Sequence, residues 1–181
     1  MTALVISEHD NSELKGATLN TISAALQLDE EIHVLVAGSN CNTVAESAAK
    51  ANGVSKVLYV DSPEYENFLA ENISLLIKNL SGDYSSILAP ATTNGKNYMP
   101  RVAAFLDVAQ ISDISSVESN DTFQRPIYAG NCIATVTSSD DVKVITVRTT
   151  AFDPVPSDSG SAEIVKLEEI NDAGISQFIK D

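Results

Sequence analysis

The sequence predicts an α/β fold in which a parallel sheet is flanked by helices and followed by an antiparallel extension. In the first half of the chain, short β-branched apolar runs alternate with segments whose apolar residues recur every three or four positions. This is the pattern of successive strand–helix units, which form a parallel sheet covered on both faces. In the second half, short segments of alternating polarity are separated by turn residues, which is typical of strands joined by hairpins.

Four strand–helix units in a row are expected to build the parallel sheet. Ser39 or Asn40 is predicted to cap the second helix, which should end near Asn52. The third helix is predicted to open at Pro63 and to run unbroken to Leu80. The predicted strands are residues 3–7, 32–37, 56–60 and 86–89, and the first helix covers residues 14–28.

The second half of the chain is predicted to add strands at residues 117–119, 122–128, 132–138 and 142–147. Asn120-Asp121 and Asp140-Asp141 are the predicted tight turns between them. Residues 152–160 are rich in turn formers, and the apolar residues at 164–167 predict a crossing or edge segment. We therefore place one domain at residues 1–165 and a linker at residues 166–181.

The composition is that of a globular domain with an acidic surface. The chain is 44% hydrophobic and 20% charged, so it has the material for a core. Its 25 Asp and Glu residues against 11 Lys and Arg residues give a net charge of −14, and such a surface repels phosphate backbones and anionic lipid. We expect no nucleic-acid binding, and no membrane insertion because no apolar run approaches about 20 residues.

The cysteines and the amino terminus bear on the compartment. Cys41 and Cys132 are far apart and belong to no CxxC pattern, so both are predicted to be free, buried thiols of a reducing compartment. The first residues show neither a signal nor a transit peptide. We expect a mature chain that begins at residue 1 or 2 and lies in the cytoplasm if the source is bacterial.

The turn after the first strand argues against a dinucleotide site. A GxGxxG fingerprint lets the backbone approach a pyrophosphate closely. Here residues 7–13 contain no glycine and three acidic groups, Glu8, Asp10 and Glu13. The sequence therefore predicts no NAD or FAD site of the Rossmann type in this chain.

The loop after the fourth strand is the nearest approach to a phosphate site. A P-loop needs glycine at position 90 and Ser or Thr at position 97, and this chain has Pro90 and Asn97. A helix amino terminus still offers backbone N–H groups to an anion. The alternative is a loop whose polar side chains cap the helix. The candidate anion or nucleotide contacts are Thr92, Thr93, Asn94, Gly95, Lys96 and Asn97.

Neither histidine is placed as a catalytic base. His33 lies inside an apolar run and is predicted to be a hydrogen-bonded sheet residue, and His9 is predicted to anchor a loop. No HxH, HExxH or Cys/His cluster predicts a metal site. We therefore expect no catalytic residues and no enzymatic activity from this chain alone.

Five blocks of sequence, in order, carry a resemblance to a known family. Together they resemble the amino-terminal domain of the alpha subunit of electron-transfer flavoproteins over nearly the whole chain. The blocks are residues 8–11 (EHDN), 88–104 (with APATTNGKN and PRVAA), 106–114 (LDVAQISDI), 121–131 (DTFQRPIYAGN) and 147–153 (VRTTAFD).

The resemblance implies a fold, a cofactor and partners. It implies a Rossmann-like fold similar to adenine nucleotide alpha hydrolases. It implies pairing with a beta subunit and electron transfer, through FAD, from acyl-CoA and other dehydrogenases to a quinone oxidoreductase. The flavin-contacting stretches of the family, Ser-Gly-Gly-Arg-Gly and Ile-Ser-Gly-Ala-Ile-Gln-His, do not occur here. The chain is thus expected to hold no FAD itself and to serve as a scaffold and subunit-interface domain.

Three further expectations follow from the resemblance. The loop equivalent to Thr92 through Asn97 helps to bind AMP in the sibling beta subunit, so the second hypothesis is a free-standing adenine-nucleotide-binding protein. A eukaryotic member of the family would lie in the mitochondrial matrix. The isolated chain is a candidate homodimer in the absence of its natural partner.

Overall fold

The computed structural model of the chain describes residues 1–168 and 170–180. Its central feature is a seven-stranded sheet in the order β10-β3-β2-β1-β4-β9-β5, and every pair of neighbours in it is parallel. The first four strands therefore run the same way, and the predicted α/β fold is confirmed. The sheet strands are β1 (Thr2–Ile6), β2 (Glu31–Gly38), β3 (Val54–Asp61), β4 (Ser86–Pro90), β5 (Gln110–Ile114), β9 (Lys143–Val147) and β10 (Glu163–Lys166).

In the part of the chain that the structure describes, two pairs of α-helices cover the sheet, one pair on each face. The first face carries α1 (Gly16–Ala25) and α2 (Asn42–Ala49), whose apolar residues pack on Val5, Val34 and Val57. The second face carries α3 (Ala70–Leu80) and α4 (Thr93–Leu106). The strands are near-continuous apolar runs because both faces are buried.

The strand at residues 142–147 was predicted to belong to the antiparallel extension, and this is wrong. As β9 it lies between β4 and β5 and is parallel to both. Its residues 144–147 are all fully buried, which suits a central parallel strand and not an edge hairpin. Strand β5, which the sequence did not predict, occupies the edge beside it.

The antiparallel part is a separate three-stranded sheet of β6 (Ser116–Val117), β7 (Thr122–Ile127) and β8 (Cys132–Thr137). Parallel strands need a long crossover, usually a helix, and between β5 and β9 this small sheet takes that place. Phe123 of β7 is fully buried in the same core as Ile145 and Val147 of β9. The small sheet therefore covers the part of the first face that α1 and α2 leave open.

Two helix predictions are corrected by the structure. Helix α2 is preceded by Cys41, without a side-chain cap, whereas the Asn40 N–H is bound by Asp61 Oδ1 at 2.7 Å. The predicted helix from Pro63 is broken: a 3-10 turn ends at Tyr65, and Phe68 has a left-handed φ of 52° before α3 begins. A helix does not pass through a left-handed residue.

The two cysteines have different environments. Cys41 is free and buried, as predicted, whereas Cys132 is free but exposed. Cys132 begins β8, an edge strand of the small sheet with one side open to solvent. The prediction that both thiols are buried is therefore wrong for Cys132.

Candidate functional site

From β1 the chain adds β2 and β3 on one side, and it then crosses over to place β4 on the other side of β1. β1 leads into α1 on the first face, whereas β4 leads into α4 on the second. In open parallel sheets, ligands bind in the crevice that this divergence creates beyond the carboxyl ends of the strands. The turn that contains His9 and the loop of residues 92–97 both border this point. It is therefore the candidate site.

Thr92 begins the loop as the N-cap of α4. Its Oγ1 accepts a hydrogen bond from the Gly95 N–H at 3.3 Å, and its carbonyl oxygen accepts one from the Lys96 N–H at 3.0 Å. A Cβ atom on Gly95 would lie 2.0 Å from the Pro90 carbonyl oxygen. The position requires glycine because the loop packs directly on the end of β4. The hydrogen bonds of Thr92 make this loop the cap of α4.

The six candidate contacts do not converge on one point. Thr92 and Asn94 line a small cavity at the switch point. Gly95 is buried beneath the loop, whereas the side chains of Thr93, Lys96 and Asn97 are exposed and are not part of the cavity lining.

His9 closes the cavity from the side of β1. It is 5% exposed, and its Nδ1 accepts a hydrogen bond from the Asn11 N–H at 3.1 Å. Its ring packs edge-on against Phe68 with centroids 4.9 Å apart. Burial lowers the pKa of His9 to about 4, although the Ala37 carbonyl and the Asp10 carboxylate act in the opposite direction. The imidazole is neutral near pH 7 and holds the turn, as predicted.

Asn11 joins this turn to the next two loops along the sheet edge. Its Oδ1 accepts a hydrogen bond from the Ser39 N–H at 3.0 Å, and its Nδ2 donates one to the Glu66 carbonyl oxygen at 2.9 Å. A Cβ atom on Gly38 would lie 2.3 Å from Asn11 Oδ1 and 2.8 Å from His9 Cε1. Residues 8–11 therefore brace the loops that follow β1, β2 and β3.

The cavity between these loops is too small for a nucleotide. Its volume is about 20 Å³, room for about one water molecule, whereas small-molecule sites typically have about 300 Å³ or more. One wall is acidic because it is formed by Glu8. The Oε2 atom of this residue is buried without a hydrogen-bond partner in the described chain. Burial, and then the Glu8 carboxylate, raise the pKa of the Tyr98 hydroxyl, which also lines the cavity.

The sequence reasoning missed Tyr98 and the bracing role of Asn11. The signal for Tyr98 was its position four residues after Asn94, which places both on one face of α4. Nothing in the sequence around Asn11 indicated its two partners, because Ser39 and Glu66 follow other strands.

A second surface is distinguished by the absence of charge. On the small sheet, the register that pairs Phe123 with Val136 points both of these side chains at the core. The alternate positions form the opposite face, and none of the six is charged although the chain carries 25 acidic residues. We call them the uncharged face: Thr122, Gln124, Pro126, Ile133, Thr135 and Thr137.

The second histidine has a structural environment. As predicted, His33 is a hydrogen-bonded sheet residue: its Nδ1 lies 2.9 Å from Tyr84 Oη and its Nε2 3.1 Å from Glu31 Oε1. Within residues 1–168 and 170–180, no three His, Cys, Asp or Glu side chains form a group that would hold a metal ion. None of the described helices has the length and apolarity required to cross a membrane.

These features define a class of protein: a doubly wound parallel sheet whose switch point is closed by an anchored acidic turn, and in which a small antiparallel sheet connects β5 to β9. Residues 3–172 match the family described as the electron transfer flavoprotein domain. The chain belongs to the electron transfer flavoprotein family.

Several relatives share most of this chain. It is 59% identical over 179 residues to the "Electron transfer flavoprotein subunit alpha" of Pseudomonas aeruginosa, covering 99% of this chain and 58% of the relative. It is 52% identical over 176 residues to the "Electron transfer flavoprotein subunit alpha, mitochondrial" of Dictyostelium discoideum, covering 93% and 50%. For the Paracoccus denitrificans subunit alpha the identity is 44% over 182 residues, covering 100% and 58%. The chain thus spans between half and three-fifths of the length of these relatives.

Proposed function

We propose that this chain is the scaffold domain of an electron transfer flavoprotein alpha subunit. It pairs with the beta subunit and supports the part of the protein that carries FAD, and it catalyses no reaction itself. The observation that carries the proposal is the family match over residues 3–172, together with relatives named subunit alpha. In the complete protein, electrons from acyl-CoA and other dehydrogenases would pass through FAD to a quinone oxidoreductase, in the bacterial cytoplasm or the mitochondrial matrix.

Two cavities of the described chain are poorly suited to FAD. The switch-point cavity of about 20 Å³ is far smaller than a flavin. A larger groove of about 340 Å³ lies at the amino ends of the strands, but Asp29, Asp121, Asp140 and Asp141 line it, and four carboxylates repel a pyrophosphate. On this proposal the chain contributes the shape of the support, and the chemistry of the electron transfer belongs to the part that carries FAD.

The uncharged face and the edge of β8 are the surface that we assign to the beta subunit. Natural edge strands are protected from pairing by charges, proline or bulges. From residue 131 to residue 139 the chain has no charged residue and no proline, so β8 carries none of these protections. Ile133, the second residue of β8, is 58% exposed. Such an edge accepts a strand or a flat surface from another chain.

The experiment is co-expression of this chain with a beta subunit of the family, followed by size-exclusion chromatography. We expect a one-to-one complex, and the chain purified alone should be colourless. Ile133→Glu places a charge on the uncharged face and should weaken association at least about tenfold. Ile175→Glu is the matched control, because Ile175 is also an exposed isoleucine but lies outside the small sheet.

Two results would contradict the proposal. One is stoichiometric yellow flavin bound to this chain alone, and the other is the absence of any complex with the beta subunit. Equal weakening by both Glu variants would remove only the assignment of the surface.

For the loop from Thr92 to Asn97 we infer a capping role in place of ligand binding. Calorimetric titration with AMP tests it. No heat of binding is expected, whereas saturable binding that Lys96→Ala abolishes would favour the adenine-nucleotide hypothesis.

A further inference from the structure

A segment after β10 lies along α3, and two of its backbone N–H groups are held by side chains of the domain. The Asn171 N–H donates to Tyr65 Oη at 2.9 Å, and the Ala173 N–H donates to Asn72 Oδ1 at 2.9 Å. We call residues 170–178 the strap.

The two side chains that receive the strap are buried polar groups. Tyr65 is fully buried and Asn72 is 2% exposed. Asn72 Nδ2 donates to the Glu64 carbonyl oxygen at 3.1 Å, which leaves Oδ1 directed at the strap. Buried polar atoms need hydrogen-bond partners, and the strap backbone supplies one to each.

Further polar contacts hold both ends of the strap. Asn79 Nδ2 donates to Asn171 Oδ1 at 2.8 Å, and Ser176 Oγ donates to Glu71 Oε2 at 2.9 Å. Between them the strap makes a turn, in which Asp172 Oδ1 accepts the Gly174 N–H at 3.0 Å. Gly174 has a left-handed φ of 64°, which suits glycine.

The apolar residues of the strap do not enter the core. Ile170 and Ile175 are 59% and 73% exposed, and Phe178 is 41% exposed. The strap is therefore attached mainly by a few specific hydrogen bonds, and of these three apolar side chains Phe178 is the one that is more than half covered. Release of the strap would remove the hydrogen-bond donors that Tyr65 Oη and Asn72 Oδ1 now accept from.

We propose that the strap is a releasable clamp, with Tyr65 and Asn72 as its positioning residues, and that it fixes the path along which the chain leaves the domain. The inference rests on the proposed function, because a scaffold must control where the FAD-carrying part is attached. When bound, the strap holds its nine residues against α3. When released, these residues become a flexible tether with a full length of up to about 30 Å.

Amide hydrogen exchange measured by NMR on the isotopically labelled chain tests the clamp. We expect the Asn171 and Ala173 amides to exchange at least about tenfold more slowly than in an unstructured peptide. Tyr65→Phe removes only the hydroxyl that receives the strap, and it should abolish the protection of Asn171. Tyr84→Phe is the matched control, because it removes a buried tyrosine hydroxyl that contacts His33 instead.

A second pair of variants acts on the strap itself. Ala173→Pro deletes the N–H that Asn72 binds, whereas Ile175→Pro changes a residue whose N–H donates no hydrogen bond within the described chain. Nitroxide labels on Cys132, which is exposed, and on Lys180→Cys report the position of the strap. The distance distribution should broaden at least about twofold for Ala173→Pro and remain narrow for Ile175→Pro.

Unprotected Asn171 and Ala173 amides in the unaltered chain, or equal effects of Tyr65→Phe and Tyr84→Phe, would overturn the proposal. These measurements need no partner subunit. Failure here therefore leaves the scaffold function standing, and failure to bind a beta subunit leaves the clamp standing.

Discussion

Replacing His9 by Asn should make the stability of the domain less sensitive to acid. The Asn side chain places Oδ1 where the imidazole has Nδ1, so it can still accept the hydrogen bond from the Asn11 N–H. It cannot be protonated in this pH range. The comparison therefore isolates the titration of one buried imidazole.

The magnitude follows from the pKa of His9, which is lowered from 6.5 to about 4, first of all by burial. Between these two values the unfolded chain binds a proton at His9 and the folded chain does not, so the free energy of unfolding falls as the pH falls. At about 1.4 kcal/mol for each pH unit, the interval gives an upper limit of roughly 3 kcal/mol. Below pH 4 the folded chain is protonated too, and the loss stops.

Urea unfolding followed by circular dichroism at several values between about pH 7 and about pH 4.5 measures this effect. The chain has no Trp, so circular dichroism is the direct probe. The free energy of unfolding of the unaltered chain, relative to that of His9→Asn, should decrease by about 2 to 3 kcal/mol over this range. A difference that stays constant within about 0.5 kcal/mol would refute the reasoning, because it would mean that His9 titrates normally in the folded state.

The remaining predictions concern packing and thiol chemistry. Gly95→Ala should lower the free energy of unfolding by more than about 2 kcal/mol, because the added Cβ meets the backbone of β4. Gly82→Ala is the control: a Cβ there has no atom within 4 Å, so the free energy of unfolding should change by less than about 0.5 kcal/mol. Urea unfolding measures both variants. Cys132 should react with iodoacetamide in the folded chain at least about 100-fold faster than Cys41. Cys41 is buried, and this burial, followed by the charge of Asp61, raises its pKa to about 11. Comparable rates of the two thiols, detected by mass spectrometry, would contradict the placement of Cys132. Phe123→Ala should lower the free energy of unfolding by about 3–5 kcal/mol, since Phe123 is the fully buried side chain that anchors the small sheet. It should also expose the amides of β8 to hydrogen exchange. Unchanged protection of these amides would show that the small sheet does not depend on Phe123.

The sequence alone determined the first three strands of the parallel sheet. The periodicities of residues 3–60 place β1, β2 and β3 and the helices between them, because a strand covered on both faces and a helix covered on one leave different apolar patterns. The absence of glycine between residues 7 and 13 predicted that the chain has no Rossmann-type dinucleotide site, because the backbone requirement of such a site is local. The five blocks of family resemblance were also readable without coordinates.

Tertiary structure alone decided which strands are neighbours and which polar groups meet. Residues 143–147 enter the main sheet because full burial on both faces outweighs the short connection that suggested a hairpin. Asn11 and Asn72 are ordinary amides in the sequence, and their partners lie in segments far along the chain: Glu66 for the first and Ala173 for the second. Local pattern records burial and periodicity, whereas the bracing of the sheet edge and the strap depend on contacts between residues that only the folded chain brings together.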